Sequence, residues 1–188
     1  MSKKILILLA THNGERYISQ QLKSIKDQKE VEVDVLVSDD KSSDKTINMI
    51  KIYEDEMNIK YLNREESDIT HGSAQNFYDL ISDSNVLDYD FVAYSDQDDI
   101  FMDRKYIKMI KSLENNNYIG GSSCVKCFGE SEYILTQSDK TTKYDYLFEG
   151  AGQGSTFVLK KKFFIEFQEF VKENRTEINN FFYDINSN

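Results

Sequence analysis

The chain has 188 residues, enough for one domain with a full core, and its 39% hydrophobic and 13% aromatic content excludes a disordered chain. A net charge of −10 argues against nucleic acid or an anionic membrane surface as a general partner, because a binding face would work against the field of the whole molecule. The apolar run at residues 5–10 is too short for a membrane span and no small-residue cleavage site follows it, so it reads as a buried strand of a cytoplasmic protein rather than a signal peptide.

Residues 4–9 form a continuous apolar run, as in a strand covered on both faces. The polar turn Thr11-His12-Asn13-Gly14 follows, and then Tyr17, Ile18, Gln21, Leu22 and Ile25 recur at helical spacing up to about Asp27. A second strand, 33–37, ends at Ser38-Asp39-Asp40. Ser42 or Ser43 caps the next helix, whose inward stripe is Ile47, Ile50 and Tyr53. Residues 59–62 are a third strand, 63–72 a polar loop, and 73–81 a helix with Phe77, Leu80 and Ile81 facing in. The apolar, aromatic stretch 91–94 is a fourth strand, and it stops at three carboxylates within four residues, Asp96, Asp98 and Asp99. Strands alternating with helices in this way indicate parallel β-α-β units, in which ligands bind outside the carboxyl ends of the strands. Three polar clusters lie at those ends: Thr11 to Gly14, Ser38 to Asp40 and Asp96 to Asp99.

A helix at 104–113 presents Ile107, Ile110 and Leu113 inward, and the alternation then breaks down. Residues 118–128 and 132–135 read as strands without intervening helices, so the sheet is expected to become mixed. A short helix at 144–148, a glycine-bearing loop at 150–154, a strand at 155–159 and an aromatic-rich helix at 161–171 complete the expected elements. Cys124 and Cys127 form a C-x-x-C pair, but zinc would need two further ligands, and His12 and His71 lack metal-site spacing to them. The pair reads as two small semi-buried residues in a reducing compartment.

Clustered carboxylates repel and raise one another's pKa, so they either spread into water or share a cation. An all-oxygen set favours Mg²⁺ or Mn²⁺, which take one or two protein carboxylates and leave room for substrate phosphates. Either acidic cluster could instead cap the helix that follows it. A phosphatase of the haloacid-dehalogenase kind would carry its D-x-D after the first strand, and a receiver domain would carry a lone phosphoacceptor Asp at a third strand end. Neither arrangement is present.

Ala10-Thr11-His12-Asn13-Gly14-Glu15-Arg16-Tyr17, Ser38-Asp39-Asp40-Lys41-Ser42-Ser43-Asp44, Asp96-Gln97-Asp98-Asp99-Ile100-Phe101 and Gly154-Ser155-Thr156 resemble, in order and spacing, the family 2 glycosyltransferases of GT-A fold. They are most similar to the rhamnosyltransferase-like branch that builds bacterial cell-surface polysaccharides. The resemblance implies an α/β fold with a Rossmann-like, mostly parallel sheet, a mixed C-terminal part and flanking helices. It implies one domain over 1–188, shortened at its C-terminal end, with a nucleotide-binding half at 1–103 and an acceptor-side half at 104–188. Thr11, His12, Asn13, Glu15, Asp39, Asp40 and Asp96 would hold a UDP- or dTDP-sugar, with Asp39 on the base and Asp40 second to it. Asp96 and Asp98 would hold Mg²⁺ or Mn²⁺, while Asp99, Gly152, Gly154 and Ser155 would lie on the acceptor side.

The implied reaction is inverting, metal-dependent transfer of the sugar to a glycan or lipid-linked acceptor, at the inner face of the membrane. Such transfer needs a carboxylate base for the acceptor hydroxyl. The family places that acid beyond the Gly-Ser-Thr segment, commonly in a His-Asp-Trp-like motif; this sequence departs from that pattern, and the acid in a comparable aromatic setting is Asp184, in Phe181-Phe182-Tyr183-Asp184, close to the chain end. The alternative is a shortened, inactive domain that binds nucleotide, a partner subunit or a second copy. Lys41 replaces the family's usual glycine after the acidic pair, His12 a usual tyrosine, and Phe101 a usual tryptophan.

Overall fold

Nine consecutive residues, Lys3–Thr11, form β1, and everything from Ile5 to Thr11 is buried. Its alternate side chains enter two different cores, because a strand directs successive residues to opposite faces. Ile5, Ile7 and Leu9 pack with Ile18, Leu22, Ile25, Ile50, Tyr106 and Ile110, while Leu6, Leu8 and Ala10 pack with Leu80, Ile81, Phe164 and Val171. The unbroken apolar run is therefore a strand covered on both sides, as the sequence requires.

The computed structural model describes residues 2–62, 72–128, 132–136, 153–178 and 180. Strands β1, β2 (Val31–Asp39), β3 (Ile59–Tyr61), β4 (Phe91–Ser95), β5 (Gly120–Gly121) and β8 (Val158–Lys160) make one sheet, in the order β3-β2-β1-β4-β8-β5. Pairings β1·β2, β1·β4 and β2·β3 are parallel; β8 runs antiparallel to both β4 and β5. Helices α1 (Ile18–Lys26), α2 (Thr46–Ile52) and α4 (Lys105–Asn115) supply residues to the first core, and α3 (Gly72–Asp83) and α5 (Lys161–Glu173) to the second. The result is a mostly parallel α/β/α sandwich that turns mixed after α4. Among the described residues no helix is long and apolar enough to cross a membrane.

The structure corrects several expected elements. The strand expected at 118–128 is two short ones: β5 joins the main sheet, while β6 (Val125–Cys127) pairs with β7 (Tyr133–Leu135) in a separate antiparallel ladder. Gly120 allows β5 to lie against β8, since a Cβ there would stand 2.4 Å from Leu159 Cδ2. The strand expected at 155–159 begins only at Val158, because Gly154–Thr156 is one turn of 3₁₀ helix closed by Thr156 N–H to the Gln153 carbonyl, 2.9 Å. Neither Ser42 nor Ser43 caps α2, whose first residue is Thr46; Asp44 accepts the Thr46 N–H instead, at 2.9 Å. The helix expected at 144–148, most of the 63–72 loop with His71, and Gly152 and Asp184 lie outside the described residues.

Candidate functional site

Strands β2, β1 and β4 are neighbours and point the same way, so their carboxyl ends open at one edge. Both β1 and β2 run two residues further than their apolar patterns suggest, and Thr11 is the ladder partner of Asp39. The first two acidic and polar clusters are thus fixed by backbone pairing. A cavity of about 460 Å³ opens there, lined by Ala10, Thr11 and His12 after β1, Asp40 after β2, Gly72, Ser73 and Asn76 of α3, and Asp96, Gln97 and Asp98 after β4.

Of the two acids after β2, it is Asp40 that lines the cavity. Asp39 is engaged behind it: its carboxylate accepts from Thr11 Oγ1 (2.8 Å), Ser42 N–H (2.8 Å) and Ser42 Oγ (2.6 Å). The buried Asp40 carboxylate accepts from the Gly72 N–H at 2.9 Å. His12 Nδ1 lies 2.7 Å from the Asp40 carbonyl, which can only accept, so the ring carries its proton on Nδ1. Nε2 is then free to accept from Asn13 Nδ2, 3.0 Å away. Asn13 and Glu15 do not reach the cavity. Asn13 Oδ1 accepts the Ser43 N–H (2.8 Å), and Glu15 Oε2 accepts the Lys45 N–H (3.0 Å), so both tie the β1–α1 loop to the β2–α2 loop. Lys41, at φ +61°, sits in the left-handed region that a glycine would adopt without strain.

On the opposite wall, burial pushes the Asp96 carboxyl up to about 6, and the charges of Asp99 and Asp98 push the same way. Asp98 is exposed to the opening. Behind them Lys105 is half-buried, its ammonium 3.5 Å above the Phe101 ring and 3.1 Å from the Ser155 carbonyl, to which it donates. Burial lowers its pKa to about 8, against the raising effect of Asp99. Lys105 thereby joins the acidic loop to the Gly154-Ser155-Thr156 turn. Ser155 and Thr156 are buried in that turn, while Gly154 is exposed and, among the described residues, has no neighbour that a side chain would meet.

Asn76, Gln97 and Lys105 carry no role in the sequence reading, although the structure places all three at or beside the cavity. Asn76 is 1% exposed, and its Nδ2 donates to the carbonyls of Ser38 (2.9 Å) and Thr11 (3.4 Å). Those two carbonyls fix the amide of this cavity-lining residue, and its Oδ1 is buried without a partner among the described residues. The signal in sequence is a polar residue four positions before Leu80 on the inward stripe of α3.

The donor set suits a hard divalent cation. Among the described residues no cluster of three or more His, Cys, Asp or Glu could form a complete cage. Two carboxylates, Asp96 and Asp98, do face one cavity, and Mg²⁺ or Mn²⁺ commonly takes its remaining ligands from water and a substrate diphosphate.

Residues 6–175 match the family described as "Glycosyl transferase family 2". The chain is 39% identical over 173 residues to the dTDP-rhamnosyl transferase RfbG of Shigella flexneri, a match that covers 89% of this chain and 58% of that protein. The chain thus spans little more than half the length of this relative. Two solved structures share the fold. One is S. aureus TarS 1-349 in complex with UDP, at TM-score 0.65 and 17% identity over 84% of this chain and 46% of that one. The other is the mannosyltransferase PcManGT of Pyrobaculum calidifontis in complex with GDP-Man and Mn2+, at TM-score 0.62 and 16% identity over 87% of this chain and 46% of that one.

Proposed function

The chain belongs to glycosyl transferase family 2, and on that premise we propose that it transfers a sugar from a nucleoside diphosphate to a glycan or lipid-linked acceptor in cell-surface polysaccharide synthesis, with inversion. The observation that carries this reading is the cavity at the carboxyl ends of β1, β2 and β4, with Asp40 on one wall and Asp96 and Asp98 on the other. An acceptor-rich wall suits the N–H groups of a base and the hydroxyls of a ribose, and a paired carboxylate wall suits a cation shared with a diphosphate.

In this reading Thr11, His12 and Asp40, which line the cavity with Asn76, receive the nucleoside, and Asp39 shapes their wall by holding Thr11 and Ser42. Asp96 and Asp98 hold Mg²⁺ or Mn²⁺, which when bound would stabilise negative charge developing on the departing diphosphate. Asp99, through Lys105, and the Ser155 turn border the acceptor side. Asp184 takes the acceptor hydroxyl's proton. The similarity to a protein named as a dTDP-rhamnosyl transferase supports a dTDP- or UDP-sugar as donor.

A thermal-melt panel of UDP, dTDP and GDP with and without Mn²⁺ tests the donor site. One nucleoside diphosphate should raise the midpoint with concentration, more so with Mn²⁺. Asp98→Asn should remove the metal-dependent part, and a flat panel would refute the donor site. A second reading, which the same cavity allows, is a domain that binds donor without turnover. A transfer assay on the same preparation separates the two: nucleotide affinity without sugar transfer or donor hydrolysis would favour the binder.

A further inference from the structure

The loop after β4 is joined to the loop after β1 by one side chain. Gln97 Oε1 accepts the backbone N–H of His12 at 2.9 Å, and Gln97 Nε2 donates to the carbonyl of the same residue, also at 2.9 Å. A primary amide presents donor and acceptor side by side, so here it makes the two-bond pairing that a neighbouring strand would otherwise make. Ladder pairing between β1 and β4 ends at Leu9 and Ser95. Gln97 carries the connection past that point, into the region where the cavity opens.

Gly14 completes the fit. A Cβ there would lie 2.3 Å from Gln97 Oε1 and 2.7 Å from its Cδ, so the glycine makes room for the amide. On either side of Gln97 stand Asp96 and Asp98, and all three line the cavity together with His12. The residue between the two acids therefore does not face solvent as a spacer; it grips the wall on which a nucleoside would rest.

We propose that Gln97 is a positioning residue that couples the cation end of the cavity to its nucleoside end, so that a cation at Asp96 and Asp98 tightens binding of a nucleoside even when no phosphate bridges the two. The inference rests on the donor-site reading above. Its physical basis is that ordering the β4–α4 loop restrains His12 through two hydrogen bonds, lowering the ordering cost left for the second ligand. By linkage the effect is reciprocal: the nucleoside tightens the cation by the same factor.

The test uses uridine and thymidine, which have no phosphate, titrated by ligand-observed NMR with and without Mg²⁺. In the unmodified chain Mg²⁺ should lower the nucleoside Kd by about fivefold, the low end of ordinary coupling between sites. Gln97→Met keeps the length and bulk beside Gly14 but has no amide; its Kd should be the same with and without Mg²⁺, and exchange of the His12 amide proton should quicken. Gly14→Ala reaches the same end with Gln97 intact, because the methyl displaces the amide, and it should also abolish the Mg²⁺ effect. Coupling that survives in both variants, or that is absent from an unmodified chain that binds nucleoside, would overturn the proposal. An unmodified chain that binds neither nucleosides nor nucleoside diphosphates would instead overturn the donor-site reading beneath it.

Discussion

Strands β1 and β8 both lie inside the main sheet, flanked on each side by another strand, yet they are built differently. Strand β1 pairs over nine residues with β2 and five with β4, all in parallel, and its centre is fully buried. Strand β8 has three residues and is antiparallel to both neighbours, one of which, β5, is only two residues long. The cavity-lining loops grow from the long ladder, where Thr11 and Asp39 are register partners. The Gly154-Ser155-Thr156 turn hangs on fewer ties, chiefly Tyr94 N–H to the Phe157 carbonyl (3.2 Å) and Lys105 to Ser155 (3.1 Å). Ladder length thus predicts that the cavity-lining loops are preorganised while the Gly154-Ser155-Thr156 turn can adjust.

The largest effect that would break this comparison is a change in stability. Leu8 is fully buried in the core to which α3 and α5 contribute, so Leu8→Ala should cost about 3 kcal/mol and lower the urea midpoint accordingly. The same truncation at Ile134 of β7, which is 67% exposed, should stay within about 0.5 kcal/mol. Equal losses at the two positions would show that the β6–β7 ladder is buried in the protein in solution and is no weaker than the long one.

A smaller effect, of opposite sign, belongs to the acidic wall. The Asp96 carboxyl is raised from 3.8 to about 6 by burial and then by Asp99 and Asp98. Between those values the folded chain binds the proton more tightly than the unfolded chain, so the cation-free protein loses stability as pH rises from about 4 to 6, and the loss is constant above that. Asp96→Asn removes the charge. Without metal, it should match the unmodified protein near pH 4 and exceed it at pH 7 by about 1 kcal/mol, a figure discounted for the partial exposure of the group. Thermal melts at the two pH values in the presence of a chelator read the difference. An Asp96→Asn variant less stable at pH 7 would mean that the wall is not strained by its own charge.

The same contrast explains what could be read from residues alone. The parallel half was legible because a strand buried on both faces gives an unbroken apolar run, and each crossover helix restores a period of 3.6. Strand ends were less so: the polar residues Thr11, Ser38 and Asp39 continue their ladders, and nothing in their composition says so. After α4 the strands are two or three residues long, too short to show a period, so one expected strand became two and another half became a 3₁₀ turn. Within the site, acidic clusters announced themselves, but Gln97 and Asn76 act through hydrogen bonds to backbone atoms brought together by the sheet. The choice between Asp39 and Asp40 likewise depended on which carboxylate Thr11 and Ser42 engage, a matter of tertiary contact.

The smallest expected effect lies on the weaker ladder. Cys124 is exposed and Cys127 half-buried, and both are free thiols. Cys127 lies in β6 opposite Tyr133, while Cys124 precedes the strand. Among the described residues no third or fourth ligand gathers around them. Removing one thiol at a half-exposed position of a two-strand ladder costs little packing and no ligand field. Cys124→Ser and Cys127→Ser should each change stability by less than about 0.5 kcal/mol, and Zn²⁺ should not raise the melting midpoint of the unmodified chain. A Zn²⁺-dependent rise lost in both variants would show instead that the C-x-x-C pair organises the antiparallel half, and that this half is braced by metal where the other is braced by its long ladder.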